Sequence, residues 1–198
     1  MYSPVHYRIE DEAECVEFMS RHSFATIVTA ANNYPSATHL PFVIEQTNGE
    51  IVLTAHFAKA NPQWKQLESE REILVVFAGE HSYISPTWYE SAPNVPTWNY
   101  VAVHAYGRGE IVEKPEAIAK LIAKHEPDFL DKWNDYDEDY RRKMFNGIVA
   151  FKVFVERLEG KKKLNQKSSE AEREKIVRSL EESGYSTERE LAEYMKKQ

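Results

Sequence analysis

Cysteine is nearly absent: Cys15 stands alone among 198 residues. No intramolecular disulfide can form, and a reducing compartment is expected. Cys15 lies beside Val16 and Phe18 with no cationic neighbour, which favours a small packed side chain over a reactive thiol. No apolar run is long enough to cross a bilayer, and the opening MYSPVHYRIEDE lacks a basic-then-apolar leader pattern. A soluble, cytoplasmic protein with no membrane partner is expected. Positive charge is not in excess either. The net charge is −7, which argues against a broad nucleic-acid surface. The seven histidines include no HxH, HExxH or His-Cys grouping, so no metal site is expected. There is no P-loop and no GxGxxG, and Ser85 in SYISP does not sit in a nucleophile-elbow context. No residue is assigned a catalytic role, and no internal repeat or low-complexity run appears.

What is present is an ordinary globular composition, 42% hydrophobic and 29% charged, with 12% aromatic residues. The tryptophans and tyrosines crowd between Trp64 and Tyr106. Residues 9–22 carry a loose helical stripe, followed by β-branched and apolar runs at 24–31 and 36–45 joined by a turn-like Asn-Asn-Tyr-Pro. Asn48-Gly49 is a tight-turn dipeptide leading into a third run at 51–57. Asn61-Pro62 starts a helix predicted to reach about residue 70. Strands are predicted at 73–79, 100–112 and 147–158, with helices near 114–123, 139–145, 168–183 and 187–197. Successive strands without intervening helices favour a mainly β fold with flanking helices (α+β), a small antiparallel barrel of Greek-key type. The charged final helices read as an appendage. The expected division is a barrel domain at 1–160, then a basic linker and C-terminal helices at 161–198.

Five segments carry chemistry-bearing side chains. Thr38 and His39 in THLPF set a hydroxyl and an imidazole in a strand, as a polar sheet edge or as one wall of a barrel site. In TAHFAKANPQW a strand ends and a helix begins, with His56, Lys59 and Asn61 around the junction. A helix start offers unpaired N–H donors and about half a unit of positive charge, so this cluster suits a phosphate as well as an ordinary cap. HSYISPTWY and VPTWNYVAVHAYG group aromatics beside strand ends. There Trp98, Asn99 and Tyr100 offer two ring faces and an amide to a flat ligand, a dimer seam or the core. In GKKKLNQK, Lys163, Asn165 and Gln166 can reach an anion or a ring edge, or form part of a solvated basic linker.

Assembled, the phrases MYSPVHY, SFATIVT, ATHLPF, AHFAKANPQW, YISPTWY, VPTWNYVAVHAYG and EGKKKLNQK resemble the PaiB family, FMN-binding split-barrel proteins described as negative transcriptional regulators. The resemblance implies a split β-barrel homodimer with FMN at the subunit interface. It places Thr38, His39, His56, Lys59 and Asn61 on the phosphate side. Trp98, Asn99 and Tyr100 become ring-side or interface residues, with Lys163 and Gln166 completing the site. The family tends to have a KLSQN phrase where this chain reads KLNQK, with Asn165 and Lys167 at the two departures. Alternative readings are an FMN-dependent oxidoreductase, akin to flavin reductases or pyridoxamine-phosphate oxidases, and a haem-handling split barrel. No helix-turn-helix is legible, so contact with DNA would use the basic C-terminal region or be indirect.

Overall fold

Strand alternation decides most of the backbone. The structure, a computed structural model, describes residues 1–31, 33–67, 72–90 and 93–197. In β2 (Phe24–Ala31) the residues Ala25, Ile27 and Thr29 are buried and their neighbours are not, the period-two pattern of a sheet with one face on a core. Its hairpin partner β3 (Tyr34–Pro41) pairs antiparallel from Ala31↔Tyr34 to Phe24↔Pro41. β4 (Val43–Thr47) and β5 (Glu50–Ala58) form a second hairpin across Asn48-Gly49. Both turn residues have positive φ, 54° and 85°, the geometry of a two-residue turn matched to strand twist. β6 (Ile73–Ile84), β7 (Thr97–Ile111) and β8 (Ile148–Lys163) are the long strands. With the short β1 (Arg8–Ile9) they complete an eight-stranded sheet ordered β3-β2-β6-β7-β8-β5-β4, with β1 on β8. Among the described residues the path does not close: it begins on β3 and ends on β4.

The helices fill the connections: α1 (Glu12–Arg21), α2 (Lys114–His125), α3 (Phe129–Asn134), α4 (Glu138–Asn146), α5 (Glu170–Glu181) and α6 (Ser186–Lys196). Several boundaries differ from the sequence expectations. The helix predicted from Asn61 to about residue 70 is, in its described part, a five-residue 3-10 segment, Pro62–Gln66; residues 68–71 lie outside the described residues. A 3-10 turn this short sums few peptide dipoles, so the electrostatic argument for a phosphate at a long helix start weakens. The strand predicted to end at 158 continues as β8 to Lys163, because Gly160 and Lys161 pair with Ile9 and Arg8 of β1. The basic run read as linker therefore starts as strand.

The chain forms two compact units. One comprises residues 13–77 and 104–158, the other 1–12, 78–103 and 159–198. The first is packed around Phe42, Phe57, Phe77 and Phe151, all with no exposed surface. Phe57 stacks on Phe151 at 4.8 Å, and Phe42 meets Phe77 and Phe151 edge-on at 6.0 and 6.2 Å. Each such ring stabilises the fold by about 1.5–3 kcal/mol through burial. The second unit buries Ile84, Val101 and Val103 together with Ile176, Leu180, Leu191, Ala192 and Met195 of α5 and α6. Those helices thus carry a packed apolar face, and their charge lies on the other. Ser169 and Glu172 close a capping box at the start of α5. Among the described residues no helix is long and apolar enough to cross a membrane.

Candidate functional site

The first unit holds the residues assigned to the phosphate side. Asn61 caps the 3-10 segment as expected: its side-chain Oδ1 accepts the Gln63 N–H at 3.0 Å. Its Nδ2 donates to the Thr38 hydroxyl at 2.9 Å, and that hydroxyl donates to Gln63 Oε1 at 2.6 Å. Gln63 Nε2 is turned inward, against the Ile27 carbonyl at 3.3 Å, the Thr29 hydroxyl at 3.1 Å and the Ser36 carbonyl at 3.1 Å. A side chain only 3% exposed thus ties β2, β3 and the cap together. Its sequence neighbourhood gives no hint of this, because its side-chain partners lie 25 to 36 residues away.

Thr38 and His39 do not share a face. Thr38 pairs with buried Ile27 and points to Gln63, whereas His39 pairs with Thr26 and is exposed, 6.1 Å ring to ring from exposed Phe24. Alternation along a strand allows no other outcome. His56 is half-buried on β5 between buried Ala55 and Phe57. Burial pushes its pKa below the usual imidazole value, which favours the neutral ring near neutral pH. Lys59 is exposed; its N–H donates to the Gly147 carbonyl at 2.8 Å, and its carbonyl accepts the Trp64 indole N–H at 3.1 Å. The backbone of the lysine is fixed on both sides while its ammonium faces water. Among the described residues, Thr38 and Asn61 are joined directly by a hydrogen bond. Among the described residues none of His39, His56 and Lys59 makes a side-chain hydrogen bond to that pair: His39 lies on the other face of β3, His56 on β5 and Lys59 just before the cap.

The remaining candidates belong to the second unit. Trp98 is 47% exposed and flanked by His81 at 5.7 Å and Tyr83 at 6.4 Å, so the surface carries an open aromatic cluster. Tyr100 is half-buried, with the Lys161 ammonium 5.1 Å from its ring centre. Lys161, 8% exposed, also lies 5.8 Å from the Tyr2 ring and donates to the Tyr2 carbonyl at 3.0 Å. Two ring faces and a carbonyl take the place of water around this buried cation. Lys163 donates to the Thr97 hydroxyl and, at 3.1 Å, to the Trp98 carbonyl. Burial, and then the charge of Lys161, lower its pKa.

Two candidates look elsewhere. Asn99 is fully buried, its Nδ2 3.8 Å from Met195 Sδ and its Oδ1 without a partner. Gln166 closes its own turn, accepting from Leu164 N–H at 2.9 Å and donating to the Lys162 carbonyl at 2.6 Å. The structure therefore gathers Trp98, Tyr100 and Lys163, turns Asn99 into the packing of α6, and gives Gln166 a positioning role. Sequence reasoning missed Gln63 and the burial of Lys161. The latter depends on Tyr2 and Tyr100 converging on one strand position.

Residues 1–157 match the family described as "Putative FMN-binding domain". Protease synthase and sporulation protein PAI 2 (PaiB) of Bacillus subtilis is 36% identical over 200 residues, covering 98% of this chain and 96% of the relative. An uncharacterized protein of Emericella nidulans, AN0679, is 30% identical over 195 residues, covering 76% of this chain and 78% of its own. Among solved structures, the flavocytochrome Anf3 of Azotobacter vinelandii aligns with a TM-score of 0.60 at 16% identity, over 80% of this chain and 70% of that one. The FAD and heme binding protein of Mycobacterium smegmatis aligns with a TM-score of 0.60 at 13% identity, over 87% and 80%. At these identities the two structures bear on the fold alone, which is that of the split-barrel flavin proteins. With 98% of its length matched to one relative and most of it to the domain family, the chain belongs to the FMN-binding domain family and is a homologue of PaiB.

Proposed function

We propose that the protein binds FMN at the interface of a homodimer and serves as a flavin-responsive regulator of the PaiB type in the cytoplasm. The observation carrying the reading is the open Trp98 cluster, an aromatic surface whose backbone is fixed by Lys163. A flat ring system is held by such a wall at little entropic cost. The phosphate side is assigned to Thr38, His56, Lys59 and Asn61; His39, first grouped with them, lies on the opposite face of β3. Lys59 brings an exposed ammonium on a backbone pinned at both ends, and Thr38 and Asn61 bring polar groups oriented by Gln63. The donor set fits a phosphomonoester. On the ring side, Trp98 and Tyr100 are the contacts, Lys163 holds the Trp98 backbone, and Asn99 and Gln166 position the strand and turn that carry them. When bound, FMN supplies a redox-active ring; this chain orients it and excludes water around it.

Dimerisation is supported by apolar side chains left on the surface, including Phe24 (67% exposed) and Tyr34 (76%) on the β2–β3 hairpin. Patches of this kind are characteristic of protein interfaces. For the regulatory role we favour an indirect route over a grip on DNA. Lys161 is buried under two tyrosine rings, and a cation so enclosed cannot neutralise a backbone phosphate. Titrating the flavin-free protein with FMN and with riboflavin, followed by flavin fluorescence, tests the assignment. FMN should bind tighter than riboflavin, and Lys59→Ala should narrow that gap by roughly tenfold, as expected for one charge-assisted contact. Equal affinity for the two flavins, unchanged in the variant, would overturn the phosphate assignment.

A further inference from the structure

The second unit contains a cleft of about 320 Å³ that shares only Lys163 with the residues assigned to FMN. Its walls come from three distant stretches: Tyr7 near the N-terminus, Tyr89 and Thr97 around the β6–β7 connection, and Lys163, Asn165 and Lys167 at the turn after β8. Its size is at the lower end of small-molecule sites.

Asn165 is the central feature. It adopts a left-handed backbone, φ 57°, a conformation asparagine tolerates better than most residues. Its Nδ2 donates to the Tyr89 hydroxyl at 2.6 Å and lies 3.2 Å from Ser168 Oγ, while its buried Oδ1 has no partner. Both partners are hydroxyls able to donate. With the amide turned over, the oxygen accepts from the two hydroxyls and the NH2 group becomes the buried atom without a partner. In either orientation the side chain retains hydrogen-bonding capacity that the protein does not fill.

The charge around it is positive. Lys163 has hydroxyl and carbonyl partners but no carboxylate, and Lys167 is exposed with no ion-pair partner among the described residues. The carboxylate at the rim, Glu172, is engaged in the α5 capping box, where its Oε2 accepts the Ser169 N–H at 3.4 Å. Two ammoniums, two phenols and two aliphatic hydroxyls thus face a space with one committed acid. Such a donor-rich lining suits an anion more than a cation or an apolar group.

We propose that this cleft is a second ligand site, for the oxyanion of a small phosphorylated or carboxylated metabolite. Lys163 and Lys167 balance its charge, and Asn165, with the Tyr89 hydroxyl, fixes its orientation. The inference stands on the second unit alone and does not depend on FMN binding. Lys163 is the residue shared with the flavin assignment, so the test does not vary it.

The test uses the 198-residue chain labelled with 15N, with and without FMN, titrated with inorganic phosphate and separately with malonate. The Asn165 side-chain amide and the Lys167 backbone signals are followed. A saturable shift with either probe, in the millimolar range or tighter, is expected, and which probe binds tighter separates phosphate from carboxylate ligands. Asn165→Asp keeps a side chain compatible with the left-handed turn but adds a like charge. It should weaken the probe at least tenfold, about 1.4 kcal/mol, with flavin absorbance unchanged. Lys167→Gln, at an exposed position, should weaken it severalfold. Shifts that stay linear with both probes overturn the proposal while leaving the FMN reading intact. So does FMN moving the same signals and expelling the probe, which would make the cleft part of the flavin site.

Discussion

Replacing Gln63 with leucine removes the junction of β2, β3 and the Asn61 cap while keeping similar volume. The side-chain amide has four polar partners, the Ile27 and Ser36 carbonyls and the Thr29 hydroxyl sharing its two N–H donors and the Thr38 hydroxyl donating to its oxygen, at a position 3% exposed. Each lost bond costs about 1 kcal/mol, and more where the abandoned partner stays buried. The extra apolar burial of leucine offsets about 1–2 kcal/mol of that loss. The net expectation is a destabilisation of about 3 kcal/mol, or a fall in Tm of about 6–12 °C for a chain of this size. Urea unfolding followed by circular dichroism measures it. Thr38→Val alone should cost about 1–2 kcal/mol, since its hydroxyl both donates to Gln63 and accepts from Asn61. The double variant should lose less than the sum, by about 1 kcal/mol or more, because the two share one network. A Gln63→Leu cost below about 1 kcal/mol, or strict additivity with Thr38→Val, would refute the reasoning. It would mean that the cap and strands are held by the sheet alone.

His56 should titrate below the ordinary imidazole range because burial disfavours its charged form. The unfolded chain then binds the proton more readily, so this group's contribution is present above its unfolded pKa and is lost as pH falls through the folded one. A ring-proton NMR titration giving a pKa at or above the model-peptide value would contradict this, as would a His56→Gln variant whose acid-limb stability slope is unchanged. Gly107→Ala places a Cβ 2.0 Å from the Phe154 carbonyl oxygen on the neighbouring β8 backbone. The strands must separate, at about 3 kcal/mol, seen as a Tm lowered by about 6–12 °C. Gly49→Ala meets no atom within 4 Å but holds φ at 85°, so only the backbone preference opposes it, at about 1 kcal/mol. A larger loss at Gly49 than at Gly107 would show that steric space is not what selects glycine in β7.

Local chemistry was legible where one or two residues decide the outcome. Asn48-Gly49 fixes its hairpin because both positions need positive φ. Asn61 and Ser85 cap the segments begun by Pro62 and Pro86, each accepting the N–H two residues on. The mainly β antiparallel architecture followed from strands that succeed one another without helices, and the split barrel from the resemblance to the PaiB family. Pairings between distant segments were not legible. β8 continues beyond residue 158 because β1, from the other end of the chain, lies against Gly160 and Lys161, and nothing in EGKKK announces that partner. The charged composition of α5 and α6 concealed Ile176, Leu180, Leu191 and Met195, which are buried. At the candidate site the residue types were readable but not their facing. Thr38 and His39 diverge by strand alternation, and Asn99 points into packing against Met195. Gln63, which orients Thr38 and Asn61, draws its partners from strands more than two dozen residues away.

The central claim is that this chain takes up FMN, and the visible absorption spectrum of the freshly purified protein tests it most directly, together with chemical identification of the flavin released on denaturation. The account predicts a flavin spectrum, release of FMN rather than riboflavin or FAD, and a stoichiometry near one flavin per chain after reconstitution. A colourless protein that stays colourless and retains no flavin after incubation with excess FMN and gel filtration would contradict it.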